Sequence, residues 1–331
     1  MTPPPDFASD FTVATFVPTA GPMPMHPSDS TRVRSRVAMI AADISRLTRP
    51  RIAVMVLATV VAGMWLTAGR GVGGTALFWL LLGTTLVAAS SSIANQILER
   101  DADRLMPRTA RRPIAAGRLS VPTATMLATL LVAAGGLMIT LAAGWQPAVA
   151  ALATWILYVV VYTPMKMRSP LNTAVGAVSG ALPVAIGWLA ADGPARLAAG
   201  DAAGALAVAA LGTVLYLWQF PHFMAIAWLY RSQYAAAGMR MLTVDDPSGL
   251  RAAGQALAAS LAMLPVSLVL AVPSGSIRLF LAAAIASLVY AVATGSFAVR
   301  RDDASARTLL FTSLGTLLAL LTASVVFGPP V

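Results

Sequence analysis

The chain has 331 residues, of which 58% are hydrophobic and only 11% charged, whereas soluble domains carry about 25% charged residues. That is too little polar surface for a water-soluble protein, and the absence of cysteine excludes disulfides, thiolate metal sites and thiol catalysis. The formal net charge is +10, but the arginines lie in the segments between apolar runs, so membrane topology explains them and no nucleic-acid partner is expected.

Residues 1–42 are rich in Pro, Ser and Thr, as in TPPPDF and GPMPMHPSDS, and are expected to form a disordered cytoplasmic extension. They have no apolar stretch after an early basic cluster, which a secretory signal needs, and Asp6, Asp10 and Asp29 count against a mitochondrial transit peptide. Residues 43–331 are expected to form one all-α, polytopic membrane domain. Nine spans are read at about 51–69, 75–98, 120–142, 146–164, 171–191, 203–229, 252–272, 277–299 and 307–327. Each run is long enough to cross a hydrocarbon layer of roughly 30 Å as a helix. A helix satisfies its backbone polar groups internally, and the runs are too long for the tilted strands of a barrel. Gly and Pro punctuate the joins, in GRGVGG, AGWQP, DGPARLAAGD and VPSGS.

With the N-terminus placed in the cytoplasm, all but three of the 23 basic residues fall on that side. The exceptions are Arg70, Arg196 and Arg278. This positive-inside asymmetry supports an odd number of spans.

The densest charge follows the second span, in NQILERDADRLMPRTARRP (95–113). Asn95, Glu99 and Asp103 are spaced i, i+4, i+8 and share one stripe of a helix. Three oxygen donors on one stripe at a membrane surface suit Mg²⁺, which favours carboxylates, water and substrate phosphates. The arginines that follow are able to grip the same phosphates. The plainer alternative is a set of interfacial charges capping a span. After the fourth span, YTPMKMRSPLN holds the chain's single lysine, Lys166, as either a topological anchor or an anion ligand. The end of the sixth span reads WQFPHF, where His222 serves either as a hydrogen-bonded structural residue or as a ligand. Polar groups at membrane depth usually line a cavity.

These motifs together resemble the UbiA-type intramembrane prenyltransferases. Asn-x-x-x-Glu-x-x-x-Asp is similar to the first acidic motif of that family. Asp103, Met106, Arg108, Thr109, Arg112 and Pro113, with LTRPRI at 47–52, YTPMKMRSPLN and WQFPHF, resemble one branch of it, the haem O synthases. The resemblance covers about 43 to 325 and implies a nine-helix bundle. It further implies transfer of farnesyl from farnesyl diphosphate to a vinyl group of protohaem IX (haem b). Mg²⁺ would be held by Asn95, Glu99 and Asp103, which are the catalytic set. Arg108, Arg112, Lys166 and Arg168 would clamp the diphosphate, although Arg168 sits one place later than the family's arginine. Tyr162, Asn172, Trp218, Gln219, His222 and Tyr234 would line the haem and prenyl pocket. The implied setting is a bacterial cytoplasmic (inner) membrane, with the lipid bilayer and haem A synthase or terminal oxidase assembly as partners. One departure stands out: in RSQYAAAGMRML, Gln233 occupies the place of the family's second acid. Either one metal held by the second span suffices, or Asp245 and Asp246 substitute, or activity is weakened; the plainer reading of the two aspartates is a turn before Pro247. The alternatives are a prenyltransferase acting on an aromatic or quinone precursor, a transporter, and a structural haem-handling membrane protein.

Overall fold

The computed structural model describes residues 29–68 and 73–328, with side chains from residue 38 onward. Most of the expected extension, and Arg70, lie outside the described residues. Within the remainder of that segment, residues 29–42 belong to helix α1 (Asp29–Thr48) rather than to irregular chain. The reason is local: VRSRVAMIAADISR contains no Pro or Gly and is rich in helix formers.

Among the described residues, nine helices are long and apolar enough to cross a membrane. They are α2 (Pro50–Ala68) and α3 (Gly74–Leu98), then, after the short α4 (Arg100–Leu105), α5 (Val121–Ala143). The fourth span, Trp145–Met165, is composite: α6 (Trp145–Ile156), a π-helix (Leu157–Tyr162) and α7 (Thr163–Met165). The fifth divides at Pro183 into α8 (Asn172–Ala181) and α9 (Pro183–Ala190), and α10 (Gly193–Ala198) follows. The sixth is α11 (Ala202–Leu229), followed by α12 (Arg231–Ala236) and α13 (Leu242–Asp245). α14 (Leu250–Val269), α15 (Ile277–Arg300) and α16 (Asp303–Phe327) complete the set. No strand occurs among the described residues. Each observed span lies within a few residues of its sequence expectation.

Large apolar side chains cover the outside: Phe78, Leu141, Ile285, Val299 and Phe311 are all more than half exposed. In water such a surface would aggregate, so hydrocarbon is its solvent, and the protein is an integral membrane protein. Inside, small residues let helices approach. α3 and α5 meet at Gly83 and Gly135, where an added Cβ would come within 2.8 and 2.6 Å of the other's carbonyl oxygen. About two helical turns further along, Ser90 Oγ donates to Ala128 O at 2.7 Å. α11 packs against α2, α8, α14 and α16. Its middle turn is fastened by the Tyr290 hydroxyl, which donates to Trp218 O at 2.7 Å.

The segments before α2 and after α3, α7 and α11 are tied to one another. Arg118 forms a forked ion pair with Asp43 at 2.7 and 2.8 Å. Gln96 Nε2 donates to the carbonyls of Arg46 and Leu47, each at 3.1 Å. Arg240 N–H donates to Lys166 O at 2.7 Å. Gly83→Val should force the α3–α5 contact apart and lower stability by about 1–3 kcal/mol, visible as earlier thermal unfolding in detergent. An unchanged transition would show that the contact bears no load.

Candidate active site

A cavity of about 790 Å³ opens at this tied end and runs to mid-helix depth. Its mouth is lined by Arg49, Arg51, Glu99, Asp103, Arg108, Arg112 and Lys166. Deeper, its wall is aromatic and apolar, with Tyr158, Tyr162, Trp218, His222, Leu215 and Leu317 among the lining residues.

The acids sit where the sequence places them, at the end of α3 and within α4. Both are buried, Asp103 completely and Glu99 to 8% exposure. They are not an isolated acidic stripe. Lys166 Nζ donates to Glu99 Oε1 at 2.6 Å. Arg112 Nη1 lies 2.6 Å from Asp103 Oδ2 and 3.6 Å from Glu99 Oε2. The two carboxylates therefore converge on a single guanidinium nitrogen. The loop that brings Arg112 back is closed by Thr109 Oγ1, which donates to Asp103 O at 3.0 Å, and by Arg104 Nε to Ala115 O at 3.0 Å.

Burial pushes the Glu99 carboxyl up, but the Lys166 ammonium and Arg112 outweigh it and hold the group below its ordinary value. Burial likewise penalises the Lys166 ammonium, yet Glu99 and the neighbouring tyrosines outweigh that and raise it. At Asp103 burial wins over Arg112, and the carboxyl is raised. Arg112 is lowered, first by burial and then by the nearby Arg49.

The fourth span's π-turn sets Lys166. Thr163 Oγ1 donates to Tyr158 O at 2.9 Å across the widened turn and accepts from Asn95 Nδ2 at 3.1 Å. Tyr158, Tyr162 and Lys166 then share one face: the two rings lie 5.3 Å apart and the ammonium is 4.4 Å above the Tyr162 ring. Single π-turns in α-helices are frequent at functional sites. Arg108 is placed by aromatic contacts, 4.6 Å over the Tyr230 ring, with Nη2 donating to the Tyr234 hydroxyl at 3.3 Å.

Three expected residues do not line the cavity. Arg168 is exposed on the loop after α7, past the end of the fourth span. Asn172 is fully buried as a staple, its Nδ2 donating to Ser169 O at 2.7 Å and Arg240 O at 3.1 Å. Asn95 lies behind the wall, bonded to Thr163, although its buried Oδ1 has no partner. The places for a second acid also resolve. Asp246 caps a turn, accepting from Ser248 N and Arg251 N, and Asp245 pairs with Arg240 at 3.0 Å. Neither lines the cavity, and nor does Gln233. Conversely, Arg49 and Arg51, which belong to the LTRPRI motif but were expected to hold no substrate group, do line it. Arg49 adopts a left-handed backbone, φ 48, at the break between α1 and α2.

No three His, Cys, Asp or Glu side chains gather as a metal site among the described residues. The two carboxylates at the mouth nevertheless offer the oxygen donors that Mg²⁺ favours, provided that substrate oxygens complete the shell, whereas Asn95 Oδ1, though unpartnered, lies behind the wall. Since five cations and two acids line the mouth, the site carries a surplus of positive charge and attracts an anion first.

Residues 56–322 match the UbiA prenyltransferase family. The chain belongs to that family. It is 42% identical over 283 residues to a protoheme IX farnesyltransferase of Rhodopirellula baltica, covering 83% of this chain and 96% of that protein. It is 34% identical over 238 residues to the one of Koribacter versatilis, covering 71% and 74%. A UbiA homologue of Archaeoglobus fulgidus, solved with GPP and Mg²⁺, shares the fold with a TM-score of 0.60 at 17% identity, covering 86% of this chain and 99% of that one.

Lys166→Met should destabilise this UbiA-family chain by about 3 kcal/mol, because it strands a buried carboxylate. Adding Glu99→Gln should recover much of that loss, as measured by a double-mutant cycle of unfolding in mixed micelles. Strict additivity of the two changes would show that the pair is not coupled.

Proposed function

We propose that the chain transfers a farnesyl group from farnesyl diphosphate to a vinyl group of protohaem IX, making haem O. The observation that carries this is one continuous cavity joining a cationic mouth to an aromatic pocket containing Trp218, Gln219 and His222. The farnesyl chain is apolar and belongs at helix depth, whereas its diphosphate belongs among the cations of the mouth. The names of the relatives supply the acceptor, and the Archaeoglobus structure supplies the precedent for a prenyl diphosphate with magnesium.

Arg108, Arg112 and Lys166 bind the diphosphate, joined by Arg49 and Arg51 on the facing segment. Tyr230 and Tyr234 hold Arg108 in place. The allylic C–O bond breaks and its electron pair leaves with the diphosphate, whose charge the guanidinium groups stabilise. The vinyl π electrons form the new C–C bond to the farnesyl carbon, and water then adds to the resulting cation, leaving a hydroxyl and releasing a proton. The apolar wall keeps water from capturing the farnesyl cation first. Mg²⁺ would be held by Glu99 and Asp103 and would supply Lewis-acid neutralisation of the leaving group. The arginine-rich end faces the cytoplasm, so both the diphosphate and the ion arrive from that side.

Membranes bearing the chain, given haem b, farnesyl diphosphate and Mg²⁺, should yield a haem heavier by one farnesyl group and one hydroxyl. Prenylation of 4-hydroxybenzoate instead would overturn the acceptor assignment. Asp103→Asn should cut turnover by about 100-fold or more, while Arg108→Gln should chiefly raise the KM for farnesyl diphosphate.

A further inference from the structure

His222 is fixed more firmly than a residue that merely fills a wall. Its imidazole stacks on the Trp218 ring, with centroids 4.7 Å apart and planes 21° from parallel. Both rings are fastened to one residue of α16: Trp218 Nε1 donates to Ser313 O at 2.7 Å, and His222 Nδ1 lies 2.7 Å from Ser313 Oγ. Ser313 is fully buried, and its hydroxyl donates to Leu310 O at 2.6 Å. A hydroxyl has one proton, and the Leu310 carbonyl takes it. Ser313 Oγ therefore accepts from His222, and Nδ1 carries the imidazole hydrogen.

That tautomer leaves Nε2 with a lone pair. Nε2 makes no hydrogen bond among the described residues, and His222 lines the cavity beside Phe223, Leu314 and Leu317. A propionate would require a donor here, and this tautomer has none to give it. An electrophilic metal centre needs this lone pair. We propose that His222 Nε2 is an axial ligand to the iron of bound protohaem, and that Ser313 is the positioning residue that fixes its tautomer and aim. This rests on the haem-acceptor reading above. The arrangement follows the usual logic of metal-binding histidines, whose second nitrogen is held by a hydrogen bond that orients the ring.

The test is spectroscopic and independent of turnover. Purified protein is titrated with haem b and followed by visible absorption and electron paramagnetic resonance. Resonance Raman of the ferrous form reads the iron–histidine stretch. Wild type should show a histidine-ligated haem. His222→Ala should lose that signature and regain it on addition of imidazole, which also shows that the variant is folded. Ser313→Ala should keep the ligand but weaken the iron–histidine stretch and bind haem about 10- to 100-fold less tightly. Ser313→Thr should restore both. Haem bound to His222→Ala with the wild-type spectrum would overturn the ligand while leaving the acceptor reading intact. A wild-type protein that binds no haem would overturn the acceptor reading itself.

Discussion

The structure is organised around the need to neutralise two carboxylates buried where a membrane helix ends. An uncompensated charge there costs several kcal/mol, so Glu99 and Asp103 must each find a cation. They find Lys166 and Arg112, which come from different segments. That requirement draws the loop after α4 back onto its own helix and docks the end of the fourth span against the second. The mouth of the cavity is a consequence of this pairing. Because the cations outnumber the acids, the assembled mouth keeps a positive potential after its internal pairs are made.

This division also explains how one cavity serves two unlike substrates. Charge is confined to helix ends and loops, where water screens what is not paired. Below it, polar groups turn their hydrogen bonds into the backbone: Gln219 donates to Ala177 O and Leu215 O, and Trp218 to Ser313 O. The few polar groups of the deep wall are thus engaged by the backbone, and an occupant meets a largely apolar surface.

Much of this was legible in the sequence. The spans follow from uninterrupted apolar runs, and the acidic pair follows from its helical spacing, since both signals are local. Pairing across distance is not local. Nothing in the residue string says that Lys166 meets Glu99, 67 positions earlier. Asn172 and Arg168 carry the right residue types, yet one serves as a buried staple and the other reaches solvent, which only the path of the loop decides. Arg49 looked like one anchor among many because its turn into the cavity, at the break between α1 and α2, shows only in the folded chain. Ser313 was invisible among the small polar residues of its span until the helices were packed.

The widened turn at Leu157–Tyr162 makes the length of the fourth span matter as much as its residue types. A π-turn is an ordinary helix with one additional residue accommodated in place. Removing that residue would restore regular winding and rotate everything beyond it by about 100° around the axis. Thr163 and Lys166 would then swing off the face they share with Asn95 and Glu99. The fourth span behaves like a vernier: its residue count, and not only its composition, sets the angular phase at which the ammonium arrives.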